Sequence, residues 1–148
     1  MSSGKNAGFT MIELLVILAV LGIAIASASL FLKPAAAPLQ SATVLTEGYL
    51  RQIRARAMST TSAYRLAPID ETRLGAAYAE TCGATTWTDD PDYELELPEE
   101  VELSATTWSL CFNSRGLASS NLTITLQQDQ FGTRDIEVLL GGTSRVLQ

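Results

Sequence analysis

The stretch Gly8–Leu32, GFTMIELLVILAVLGIAIASASLFL, contains a single charged residue, Glu13. From Phe9 to Leu32 it offers 24 residues, about 36 Å as a helix at 1.5 Å per residue. A hydrocarbon core of roughly 30 Å is spanned by that length, so the segment 9–32 is predicted to be a transmembrane helix. Lys5 is the one charge in the leader Met1–Ala7, and only Lys33 follows the span. The positive-inside tendency therefore places the amino terminus in the cytoplasm and the rest of the chain outside. A secretory signal peptide is the competing reading, because AIASAS carries a small-x-small pattern. The apolar run is too long for a usual signal core, and a carboxylate inside one is poorly tolerated. A plain anchor explains the length but not Glu13. A carboxylate costs roughly 2.5–3.5 kcal/mol at mid-span and less near an end, so an acid in a span is read by default as functional and paired.

Composition narrows what the remainder can be. The chain has 148 residues and a formal charge of −6, and the part after the span, roughly 110 residues, is room for one core and not two. The acidic balance disfavours nonspecific attraction to nucleic acid or anionic lipid. There is no histidine, which removes Ser-His-Asp and Cys-His nucleophile pairs, the usual general base and imidazole metal ligands. No nucleophile motif stands out. The sequence therefore points away from an enzyme, and no cofactor or metal is expected.

Beyond the span, KPAAAPLQ carries Pro34 and Pro38, and residues 33–38 read as a linker broken by proline. From Leu39 to Ser59 the pattern is helical. Leu39, Thr46, Leu50, Ile53 and Ala57 recur on one face, while Glu47, Arg51, Arg54 and Met58 fall on another. Glu47 and Arg51 stand in the favourable i, i+4 order, and the arginines of RQIRARA read as a solvated face. The rest reads as β: SAYRLAPI, LGAAYAET, YELELP, EVELSA, TWSLCF, NLTITLQQ and RDIEVLL are short runs punctuated by Gly, Pro, Asp or Ser. Alternation puts Leu122, Ile124 and Leu126 on one face, likewise Ile136, Val138 and Leu140, and Trp108, Leu110 and Phe112. Gly141-Gly142 is a two-residue hairpin signal before TSRVLQ. The expected class is α+β: a long amino-terminal helix, transmembrane then amphipathic, packed on an antiparallel β-sheet or sandwich spanning 39–148.

Cys82 and Cys111 both fall on the exported side, where an oxidising compartment makes them a candidate disulfide. The alternative is two separate buried thiols. Two thiols cannot complete a zinc site. The acidic loop 89–96, within TDDPDYELELPEE, offers Asp89, Asp90, Asp92, Glu94 and Glu96 as oxygen ligands that calcium accepts, but matches no EF-hand spacing; such loops are usually just solvated.

The junction Gly8-Phe9 followed by TMIELL resembles the class III signal of type IV pilins and type II secretion pseudopilins. That resemblance implies a leader, residues 1–8, removed by a prepilin peptidase between Gly8 and Phe9. It further implies N-methylation of Phe9 and a pairing of Glu13 with a neighbouring subunit's terminal amine. A buried carboxylate and a buried ammonium are each expensive alone and tolerable together. The carboxy-terminal third, through Phe112, Gly116, Gly142 and Arg145, and the helix end LRQIRARAMST resemble the GspH/FimT branch of minor pilins and pseudopilins. The implied protein is a structural subunit with the pilin fold, single-pass in the inner membrane with its carboxy-terminal domain periplasmic or extracellular. Its partners would be other pilins or pseudopilins, in a type IV pilus or a type II secretion pseudopilus. Two alternatives stand beside it. One is a DNA-binding minor pilin of an uptake pilus, with Arg145, Arg51 and Arg54 as contacts; the other is a membrane-anchored β binding domain.

Overall fold

The computed structural model describes residues 11–29 and 37–147, with side chains from 11–22 and 38–147. It divides into two units, residues 1–34 and 35–148. In the first, α1 runs Met11–Ser29. It is apolar around its whole circumference, and every described side chain on it is exposed, Met11 at 89% and Ile12 at 72% among them. A helix apolar on all sides is not stable facing water and must be covered by protein or lipid. Its 19 residues amount to about 28 Å, and among the described residues no helix is long and apolar enough to cross a membrane. Both ends of the 9–32 stretch lie outside the described residues.

The second unit opens with α2, Ala37–Thr60. The helix begins earlier than its pattern announces and takes Pro38 into its first turn. A proline there removes only an N–H that has no intrahelical partner anyway. Residues 37 and 38 are thus helix rather than linker. Leu39, Thr46, Leu50, Ile53 and Ala57 are all buried, and Ala42 and Tyr49 widen the same stripe. The helix ends in a turn where the Ser62 N–H donates to the Ala57 carbonyl at 3.2 Å and Thr61 adopts φ 54°. This is the left-handed cap usually given to glycine, and a β-branched residue holds it under strain.

Eight strands follow: β1 Ala63–Pro68, β2 Arg73–Ala79, β3 Thr88–Glu96, β4 Val101–Leu103, β5 Leu110–Phe112, β6 Leu122–Gln128, β7 Gly132–Val138 and β8 Ser144–Leu147. They form two four-stranded sheets, ordered β3-β2-β1-β5 and β4-β6-β7-β8, with every pairing antiparallel. The chain crosses to the second sheet at β4, returns to the first at β5, and crosses again at β6. The stripe of α2 packs on both sheets, against Leu66, Leu74 and Phe112 from one and Ile124, Leu126 and Ile136 from the other. This is the α+β architecture expected, with the helix as the wedge between two sheet faces.

Three details depart from the sequence pattern. Leu110 and Phe112 are buried, but Trp108 precedes β5 and is only half-buried, its indole N–H donating to the Ala105 carbonyl at 2.9 Å. Ile136 and Val138 are buried, yet Leu140 is 54% exposed because β7 stops at Val138. The turn that follows is not a two-residue hairpin. The Gly142 N–H donates to the Leu139 carbonyl at 2.7 Å, the Leu139 N–H donates to the Thr143 carbonyl at 2.9 Å, and Gly142 has φ 76°. That is a three-residue loop closed by a left-handed glycine.

One core position is imperfect. The Thr46 hydroxyl is fully buried and has no hydrogen-bond partner among the described residues. Thr46→Val keeps the shape and removes the stranded polar atom, so we expect it to stabilise the domain by about 1 kcal/mol. A rise in the urea midpoint at constant slope checks this.

Candidate functional site

Glu13 sits in the first turn of α1 as its sole acid, where the helix N-terminus favours negative charge. The apolar surface of α1 surrounds it. Gly8 and Phe9, the processing residues, lie outside the described residues.

The disulfide is formed: Cys82 and Cys111 are bridged with their Cα atoms 5.8 Å apart. Cys82 lies in the loop after β2 and Cys111 on β5, so the bridge reaches past β1, which runs between those strands. Alternation along β5 turns Cys111 away from Leu110 and Phe112. On the chain-entropy model a loop of this length is worth about 3.5 kcal/mol. Cys82→Ser with Cys111→Ser is therefore expected to lower unfolding stability by about that amount, read as a fall in urea midpoint relative to wild type.

The arginines proposed as nucleic-acid contacts are each engaged within the chain. Arg51 pairs with Glu47 at 2.6 Å, the i, i+4 pair expected from sequence. On β8, Arg145 pairs with Glu137, its register partner on β7, at 2.5 Å. Arg54 is not on a solvated face. Its Nε donates to the Gly116 carbonyl at 2.9 Å and its Nη2 to the Gly141 carbonyl at 3.1 Å. Gly116 has φ 74°, and a side chain at Gly142 would collide with the Gly116 carbonyl oxygen. The resemblance residues Gly116 and Gly142 thus meet at one knot, tied to α2 by Arg54. Arg56 donates to the Tyr64 hydroxyl at 3.3 Å and lies over the Tyr93 ring, while Arg65 lies over Trp87.

The acidic segment expected as loop 89–96 is strand β3, at the edge of the first sheet. Its acids are spread over the nine residues of the strand, and a register irregularity interrupts their alternation. Among the described residues no group of three or more acids, histidines or cysteines is placed to hold a metal. Edge strands rich in charge and carrying a proline, here Pro91, resist pairing with further strands. The domain as a whole is acidic. Setting Lys5, Lys33 and Glu13 aside from 10 basic and 16 acidic residues leaves 8 and 15 in the domain, a formal −7. Several ionisable groups of the domain are shifted, Tyr49 and Asp70 among them. The Tyr49 phenol, buried beneath the acids Glu94 and Asp90 and donating to the Tyr93 carbonyl, is pushed up. The Asp70 carboxylate, accepting from Arg73 and from the Thr72 backbone, is held down to about 2.

The model for the prokaryotic N-terminal methylation motif matches residues 3–29. No curated protein matches the chain. Among solved structures, the type IV minor pilin FimU of Pseudomonas aeruginosa is similar, with a TM-score of 0.59 at 16% identity, covering 74% of this chain and 88% of that one. A second crystal form of FimU gives 0.58 at 17% identity, over 74% and 93%. The minor pseudopilin EpsH of the Vibrio cholerae type 2 secretion system gives 0.53 at 16% identity, over 72% and 93%. At these identities the structural likeness speaks for the fold, and the amino-terminal motif speaks independently for the first helix. The chain thus joins a prokaryotic N-terminal methylation motif, at residues 3–29 and covering its apolar first helix, to a domain with the fold of the minor pilin FimU and the minor pseudopilin EpsH.

Proposed function

We propose that the chain is a minor pilin or pseudopilin, a structural subunit and not a catalyst. The observation that carries this reading is the joining of an N-terminal methylation motif at residues 3–29 to a domain with the fold of FimU and EpsH. In this reading a prepilin peptidase removes residues 1–8 and Phe9 becomes the methylated terminus. Residues 9–32 hold the protein in the inner membrane before assembly, and residues 39–148 stand on the periplasmic side. The exposed apolar surface of α1 is what neighbouring subunits or lipid cover. Glu13 meets the terminal amine of the next subunit, which sets the axial register of one chain against another.

The DNA-uptake reading finds less support, since Arg51, Arg54 and Arg145 are tied to Glu47, to the Gly116 and Gly141 carbonyls and to Glu137. The test of the subunit reading is shearing of surface filaments, or crosslinking of the periplasmic pseudopilus, in the native host. Co-fractionation of this chain with other pilins is expected; its exclusive recovery with inner membrane, in cells that assemble filaments, contradicts the proposal.

A further inference from the structure

The outward face of the first sheet carries a groove of about 410 Å³. Tyr64 and Leu66 turn inward to the core, so alternation turns Arg65 and Ala67 outward. Ala67 pairs with Gly75 and Arg65 with Ala77, which gives the groove a floor of small residues. Ile69, 53% exposed, forms one wall and lies so close over Gly75 that a Cβ there would sit 2.9 Å from its Cδ1. A glycine inside a strand often marks such a close approach.

The opposite wall comes from an irregularity in β3. Glu94 stands opposite Gly75, but the next register pair joins Asp89 to Ala77, so residues 90–93 stand out from the ladder. Asp89, Asp90 and Glu94 line this wall. Asp90 accepts from the Tyr64 hydroxyl at 3.1 Å and Glu94 faces Arg73 at 3.4 Å, whereas the Asp89 carboxylate has no hydrogen bond or ion pair among the described residues. From Asp89 to Glu102 the chain holds eight acids and no base. Across the floor Arg65 is held over the Trp87 ring, 4.6 Å from its centroid. An apolar floor, one acidic wall and a fixed cation opposite select a ligand with one positive charge, because a basic run would meet Arg65.

We propose that this groove docks an extended segment of a partner subunit in which a single lysine or arginine stands beside a small apolar side chain. The proposal rests on the subunit reading above and adds a contact on the globular domain, separate from α1. It is tested with the full-length protein in its native host, carrying a photoreactive benzoylphenylalanine at Ile69 and, in a parallel strain, at Leu21 on α1. The expected result is a crosslink from position 69 to another filament subunit, mapped to a peptide with one basic residue next to an apolar one. Asp89→Lys should lower that yield about five-fold, the size of a favourable exposed ion pair. The Leu21 crosslink and the Cys82–Cys111 bridge should be unchanged in that variant. Crosslinking from Leu21 but not from position 69 overturns the groove and leaves the subunit reading standing. So does a partner peptide without a basic residue, capture of lipid or of a second copy of this chain alone, or indifference to Asp89→Lys. Absence of both crosslinks overturns both readings together.

Discussion

Glu13→Ala should leave the protein processed and in the membrane yet missing from the filament. The substitution removes the one charge from the stretch Phe9–Leu32, so insertion should be unimpaired or slightly improved. Assembly is where the loss appears. A terminal ammonium buried beside the next subunit would have no counter-charge, and breaking such a pair costs roughly 3–5 kcal/mol. That corresponds to a loss of incorporation of roughly two orders of magnitude or more. The readout is the ratio of sheared to membrane-bound protein, compared with wild type in the same strain. A simple anchor expects no change in that ratio, and wild-type incorporation would show that the carboxylate does not set register.

Phe112→Ala should be the most damaging single change in the globular domain. Phe112 is 1% exposed, pairs with Tyr64 on β1, and bridges to Ala118 just before the chain enters the second sheet. It is therefore packed where the two sheets and α2 meet. Truncating a buried phenylalanine leaves a cavity and costs about 3–5 kcal/mol, a large part of the roughly 5–15 kcal/mol that stabilises a typical domain. Equilibrium urea unfolding of the domain from residue 37 should show a midpoint far below wild type. A cost under 1 kcal/mol would mean that the site collapses around the gap and that Phe112 is not the junction described here.

Much of this architecture could be read from periodicity. The stripe Leu39, Thr46, Leu50, Ile53 and Ala57 is buried residue for residue, because a helix against a core has few ways to place such a pattern. Every strand run in the sequence became a strand, since alternation and turn residues are both local signals. Where local signals conflicted, the pattern misled. Asp and Pro in DDPDY speak for a loop, but the long pairing of β3 with β2 absorbs them as an irregularity in an edge strand. Leu140 continues an alternation that the turn at Leu139 has already ended. Pro38 looked like a break because its position within the first turn was not visible in sequence.

Arg54 shows the other kind of limit. Its acceptors are carbonyls 62 and 87 positions away, and no spacing rule connects a helix arginine to two distant glycines. The only trace was the recurrence of Gly116 and Gly142 in the resemblance to minor pilins, and the reason for both glycines is steric. The cysteine pair was partly legible. An oxidising compartment and the outward turn of Cys111 made a bridge reasonable, but the fold was needed to bring the loop after β2 past β1. Gly8 and Phe9 rest on their sequence context alone.

For that reason the amino terminus itself is the place to test the account. Intact mass and terminal peptide sequencing of protein extracted from native membranes should find a chain that begins at Phe9 and carries one methyl group on its terminal nitrogen. Protein retaining Met1–Gly8, or cut near Ala28 as a secretory signal would be, would contradict the assignment of Gly8, Phe9 and Glu13 and with it the proposed role in a filament.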